Sequence, residues 1–120
     1  MITVYGISNC DTIRRARAWL DGEGIDYRFH DYRKDGVDAE MIRAWARELG
    51  WEVLLNKRGT TWRKLPEAER EGLDESKAVT LMATYPAMIK RPVFDLGDER
   101  RVGFSKSDQA ALAQKLNRET

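Results

Sequence analysis

The sequence predicts an α/β fold, a mixed sheet assembled as βαβ and then ββα with a helical insertion between the two halves. Three observations predict it. A β-branched and aromatic N-terminal run gives way at a glycine to apolar residues at helical spacing and then to a second alternating run. The middle of the chain carries only helical periodicity, and two short strand-like runs and a final amphipathic segment close it. The 120 residues form one domain, 1–120, with the insertion at about 35–86, and a chain of this length buries a core without disulfide staples.

Taken in order, Ile2-Thr3-Val4-Tyr5 is strand-forming and runs into Gly6, so a strand enters a tight loop. Ile13, Ala16 and Leu20 recur at i, i+3, i+7 and the helix stops near Gly22 and Gly24, which leaves Cys10 at a helix N-terminus with Thr12 as a candidate cap. Ile25 to Phe29 alternates as a second strand, parallel to the first through a right-handed crossover. Asp38 caps a helix whose apolar face is Ile42, Trp45 and Leu49 and which Gly50 ends. Trp51–Leu55 is a short apolar helix or turn, and 56–64 is a basic loop. Pro66 opens a short acidic helix interrupted at Gly72, and Asp74 begins another that carries Ala78, Leu81, Met82 and Tyr85. Ile89–Leu96 is a strand with Arg100–Phe104 as its hairpin partner, and Ser105 or Ser107 caps a last helix anchored by Leu112 and Leu116. This order is the thioredoxin plan.

Composition removes whole classes of function. With 21 basic and 20 acidic side chains the formal net charge is +1, so no whole-molecule field draws the chain to nucleic acid or an anionic membrane. One cysteine and one histidine make neither an internal disulfide nor a self-sufficient zinc site, so no metal is expected. The first residues have no charged region followed by a long apolar one, and no apolar run approaches the roughly 20 residues that span a bilayer. The expected address is the cytoplasm, where a thiol stays reduced.

Cys10 is the sharpest chemical signal. The amides and dipole of a helix start lower a thiol's pKa below the free value of about 8.5, and Arg14 and Arg15 in the first turn add positive potential. The third residue after Cys10 is Ile13, so no second cysteine resolves a disulfide within the chain, and a resolving sulfur comes from another molecule, glutathione being the abundant choice. Asn9 and Asp11 are suited to bonding loop amides. His30, Trp19, Trp45 and Trp51 read as packing residues, and Lys57, Arg63 and Lys64 as a solvated charge run. Trp62 within that run is too little to make a nucleic-acid surface.

The runs Val4–Ile13, Leu54–Leu65 and Ile89–Val93 closely resemble the arsenate-reductase-like (ArsC/Spx) family and, within it, its YffB-type reductases; the likeness covers roughly residues 2 to 117. It implies a thioredoxin-like core with a helical insertion and a cysteine, here Cys10, that attacks an oxyanion or forms a mixed disulfide. It also implies glutathione as co-substrate, with a glutaredoxin completing the cycle and no bound cofactor. Two of the family's three anion-holding arginines fall on Arg58 and Arg91, and the following Pro92 is cis in the family. The third falls near Gly103 and Phe104, with Arg100 and Arg101 out of register, and a histidine near the family's nucleophile corresponds to Gly6. Losing one such clamp removes about 3 kcal/mol or more of oxyanion stabilisation, which weakens arsenate reduction. The expectation is a glutathione-dependent monothiol oxidoreductase. The alternative is a non-enzymatic adaptor like the Spx members, which bind RNA polymerase, although their CxxC switch is absent here.

Overall fold

The structure, a computed structural model, describes residues 1–118. Its elements are β1 (Ile2–Gly6), α1 (Asp11–Gly22), β2 (Tyr27–Asp31), α2 (Tyr32–Asp35), α3 (Ala39–Leu49), α4 (Trp51–Leu54), α5 (Thr60–Arg63), α6 (Glu67–Arg70), α7 (Glu75–Thr84), a 3-10 turn (Pro86–Met88), β3 (Val93–Asp95), β4 (Arg100–Val102) and α8 (Lys106–Arg118). The strands form one sheet in the order β2-β1-β3-β4, with β1 parallel to β2, and β3 antiparallel to both β1 and β4. This is the thioredoxin-like arrangement, and it places the end of β1 and the start of β3 side by side, Tyr5 opposite Val93.

Strand alternation divides the core between the two faces of the sheet. Val4 and Phe94 join Ala16 and Leu20 of α1 and Leu112 and Leu116 of α8 on one side. Val93, with Tyr5 packed against it, joins Ile42 and Trp45 of α3 and Ala78 and Met82 of α7 on the other. The insertion helices thus supply most of the second layer. Their boundaries follow local chemistry: the Asp38 carboxylate accepts from the Met41 amide at 2.8 Å, Asp74 accepts from Lys77 at 2.8 Å, and Gly50, at φ 93°, ends α3 in a conformation that side chains disfavour.

Several elements differ from expectation, each for a local reason. The second strand starts at Tyr27 because the Ile25 amide donates to the Leu20 carbonyl at 3.0 Å and so closes the end of α1. The short α2 follows because Asp31 accepts from the Arg33 amide at 2.8 Å. Half of the expected basic loop, Thr60–Arg63, winds into a helical turn. Tyr85 lies past the last turn of α7, exposed, and not on its buried face. The expected strand from Ile89 shrinks to Val93–Asp95: Ile89 pairs instead with Leu55 in an isolated antiparallel bridge, and Pro92, which has no N–H, stands between the two. Its partner ends at Val102. Ser105, not Ser107, caps α8, its hydroxyl accepting from the Asp108 amide at 3.1 Å while Asp108 accepts from the Ser105 amide at 3.0 Å.

Candidate active site around Cys10

The site is built where β1 hands over to α1. Gly6 is buried and leaves the strand directly over Ile13: a Cβ at position 6 would lie 2.2 Å from Ile13 Cδ1 and 2.8 Å from its Cγ1. The close approach draws the first turn of α1 against the strand end, and the intervening loop, Ile7 to Asn9, presents Cys10 as the residue preceding the helix. Cys10 is the cap position itself, with extended backbone (φ −104°, ψ 131°), and its carbonyl accepts the Arg14 amide at 3.0 Å. Thr12 is therefore inside the first turn and not the cap.

Asp31 holds this loop from the neighbouring strand. It is the one buried acidic side chain among the described residues, 4% exposed. Burial alone would raise its pKa, but the Arg33 amide, the Ser8 hydroxyl and amide, and the Lys34 amide together hold it below the usual carboxylate value. A charge at the end of β2 thereby fixes Ser8, two residues before the thiol. Nothing local in the sequence shows this, because the contact joins segments more than twenty residues apart; an acidic residue closing an apolar strand is the only visible sign.

On the other side of Cys10 stands Arg91. The Arg91–Pro92 peptide bond is cis, as the resemblance implies. The Arg91 guanidinium donates to the Ala87 carbonyl at 2.9 Å and lies close enough to the Cys10 thiol to lower its pKa. Cys10 is partly buried and in no disulfide. Desolvation raises its pKa, yet the Ile13 amide, the hydrogen bond and charge of Arg91, and the Thr12 amide outweigh burial and lower it below the ordinary thiol value. No formed side-chain cap bond closes the helix, so the amides of Thr12 and Ile13 act on sulfur as oriented dipoles. Tyr32 lies nearby in the second core layer, its phenol kept protonated by burial despite the opposing charge of Arg91.

The remaining expected residues divide. Arg14 is exposed and paired with Asp11 one turn away, so its charge is spent at the surface. Arg15 lies over the Phe104 ring at 5.7 Å, and Asn9 is exposed. Arg58 is exposed on the loop after α4, its amide held by Asn56 Oδ1 at 3.0 Å and its carbonyl by the Arg63 guanidinium at 2.7 Å. That loop is tied to the Arg91 segment by the Leu55–Ile89 bridge, with the Asn56 amide on the Met88 carbonyl at 2.7 Å and the Lys90 amide on the Leu54 carbonyl at 2.8 Å. Arg58 and Arg91 thus come from two adjoining segments. The third cation has no room. Gly103, at φ 96°, would bring a Cβ to 2.7 Å from Asp108 Oδ2, inside the α8 cap. Arg100 is bound to Glu48 at 2.7 Å and Arg101 to Glu99 at 3.4 Å. His30, as expected, is a strand side chain, stacked near Tyr5 and bonded to the Gly36 carbonyl at 2.6 Å. No group of three or more His, Cys, Asp or Glu able to hold a metal occurs among the described residues.

A thioredoxin-like sheet, a single activated thiol at the start of α1 and an arginine before a cis-proline define an arsenate-reductase-like protein. The chain belongs to the ArsC family, whose model matches residues 5–112. Among solved structures it is similar to a YffB protein, with a TM-score of 0.88, 50% identity and coverage of 92% of this chain and 97% of that one. An uncharacterised protein of Haemophilus influenzae is 44% identical over 94% of this chain and the whole of the relative. The global transcriptional regulator Spx of Listeria monocytogenes is 27% identical over 90% of this chain and 83% of its own.

Proposed function

We propose that the protein is a glutathione-dependent monothiol oxidoreductase in which Cys10 is the nucleophile. The observation that carries this reading is the placement of the Cys10 thiol beside the Arg91 guanidinium at a helix start, which lowers its pKa and favours the thiolate. The thiolate attacks the glutathionyl sulfur of a mixed disulfide RS–SG, forming Cys10–S–SG and releasing RS⁻. A second glutathione thiolate attacks that adduct, giving oxidised glutathione and regenerating the Cys10 thiolate. The sum is RS–SG plus GSH to RSH plus GSSG. Ile13, buried at the position where a second cysteine would resolve the adduct internally, makes the second thiol an external one, glutathione or a glutaredoxin. An oxyanion adduct at Cys10 is less favoured, because Gly6 and Gly103 leave the anion with Arg91 and Arg58 alone.

The test is turnover of a glutathione mixed disulfide coupled to glutathione reductase. Wild type should turn over and Cys10→Ser should be inactive; equal rates would sink the proposal. The likeness to Spx keeps an adaptor reading in play. Co-elution of the purified chain with RNA polymerase, unaffected by Cys10→Ser, would favour it.

A further inference from the structure

An open cavity of about 400 Å³ is lined by Glu52, Val53, Leu55, Asn56, Lys57, Arg58 and Lys90, the last of which immediately precedes Arg91 in the chain. Its volume is in the range of small-molecule sites, roughly 300–1,000 Å³. Three cations and one carboxylate line it, and none of the four charged groups is ion-paired among the described residues. Two of the cations are placed by other contacts. The Lys57 ammonium lies over two indoles, 5.7 Å from the Trp62 ring centre and 6.0 Å from that of Trp51. The Arg58 backbone is fixed at both ends, by Asn56 and Arg63. The Lys90 stem runs past Gly103, whose amide donates to the Pro92 carbonyl at 2.9 Å, so a cavity-lining cation is tied to the segment that carries Arg91.

We infer that this cavity is a subsite for the charged ends of a small peptide thiol, glutathione, with Lys57 and Lys90 joining Arg58 as carboxylate partners and Glu52 receiving the γ-glutamyl ammonium. Charge complementarity selects this occupant. Glutathione carries two carboxylates and one ammonium, against three cations and one carboxylate in the cavity, whereas a simple inorganic oxyanion would leave Glu52 repelling it. The inference rests on the glutathione reading above and adds residues that neither touch the thiol nor act on it.

Two measurements on the full chain separate the subsite from the chemistry. Non-reactive S-methylglutathione, titrated by amide chemical shifts, should perturb Glu52 to Arg58 and Lys90; no shift at millimolar ligand, or shifts confined to the Cys10 loop, overturns the subsite whatever Cys10 does. The rate of Cys10 adduct formation is then compared between oxidised glutathione and uncharged hydroxyethyl disulfide. Lys90→Glu should slow the glutathione reaction about fivefold more than the hydroxyethyl one, the scale of one exposed charge contact, with the difference shrinking in high salt. Equal slowing of both, or of neither, contradicts the subsite alone. An adduct from neither disulfide in wild type contradicts the thiol chemistry, and the shift titration then decides the subsite by itself.

Discussion

Replacing Arg91 with Met keeps most of the stem and removes both the hydrogen bond and the charge that favour the Cys10 thiolate, leaving the Ile13 and Thr12 amides alone against burial. The Cys10 pKa should therefore rise toward the free value of about 8.5, and alkylation at pH 7 should slow roughly tenfold for each unit of rise. Stopped alkylation read by intact mass checks this. Asp31→Asn tests the other flank. It removes the charge that accepts from Ser8 and from the Arg33 amide, and should cost about 2 kcal/mol in urea unfolding at neutral pH, within the range of hydrogen bonds to a charged group. Because the folded pKa of Asp31 is lowered, its stabilisation is complete above the unfolded value of about 3.9 and is lost as pH falls through the lower folded value. The gap between wild type and Asp31→Asn should be full at pH 5 and close below about pH 4; a gap independent of pH would contradict a charged Asp31.

Between β1 and α1 the packing of Gly6 on Ile13 sets how closely strand and helix approach. Gly6→Ala forces Ile13 aside and should cost about 1–3 kcal/mol, the range for overpacking a tight core. It should also raise the Cys10 pKa, because the Ile13 amide that lowers it moves with the side chain. Unfolding and alkylation on the same protein test the two effects together; a stable variant with an unchanged thiol would show that the contact does not position the helix. Elements set by near neighbours were legible in the sequence: α1, α3, α7 and α8 announce themselves by apolar spacing and by caps such as Asp38, Asp74 and Ser105. The short pieces were not. The start of β2 depends on how Ile25 closes α1, and β3 is cut short by a pairing of Ile89 with Leu55, more than thirty residues away.

Across the whole molecule, the sheet order brings the β1–α1 loop, the end of β2 and the segment before β3 together. Arg91 reaches Cys10, and Asp31 reaches Ser8 in the same loop, for that reason, although these residues are far apart in sequence. Cys10 and Arg91 were visible beforehand, one from its helix-start position and the other from its place before Pro92, which only the family resemblance made meaningful. The role of Asp31 and the closure of position 103 by the α8 cap needed three-dimensional neighbours to be seen. Glu48 and Arg100, fifty-two positions apart, join α3 to β4 at 2.7 Å, with Glu48 also accepting the Arg100 amide at 2.8 Å. Both side chains are partly exposed, so Glu48→Ala should cost about 1 kcal/mol and less in high salt, measured by urea unfolding. The most direct test of the central claim is the Cys10 pKa, taken from pH-dependent alkylation of wild type and Arg91→Met in parallel. A wild-type value well below about 8.5 that rises in the variant is the predicted result; a value at or above it, unchanged by the loss of Arg91, would contradict an activated nucleophile.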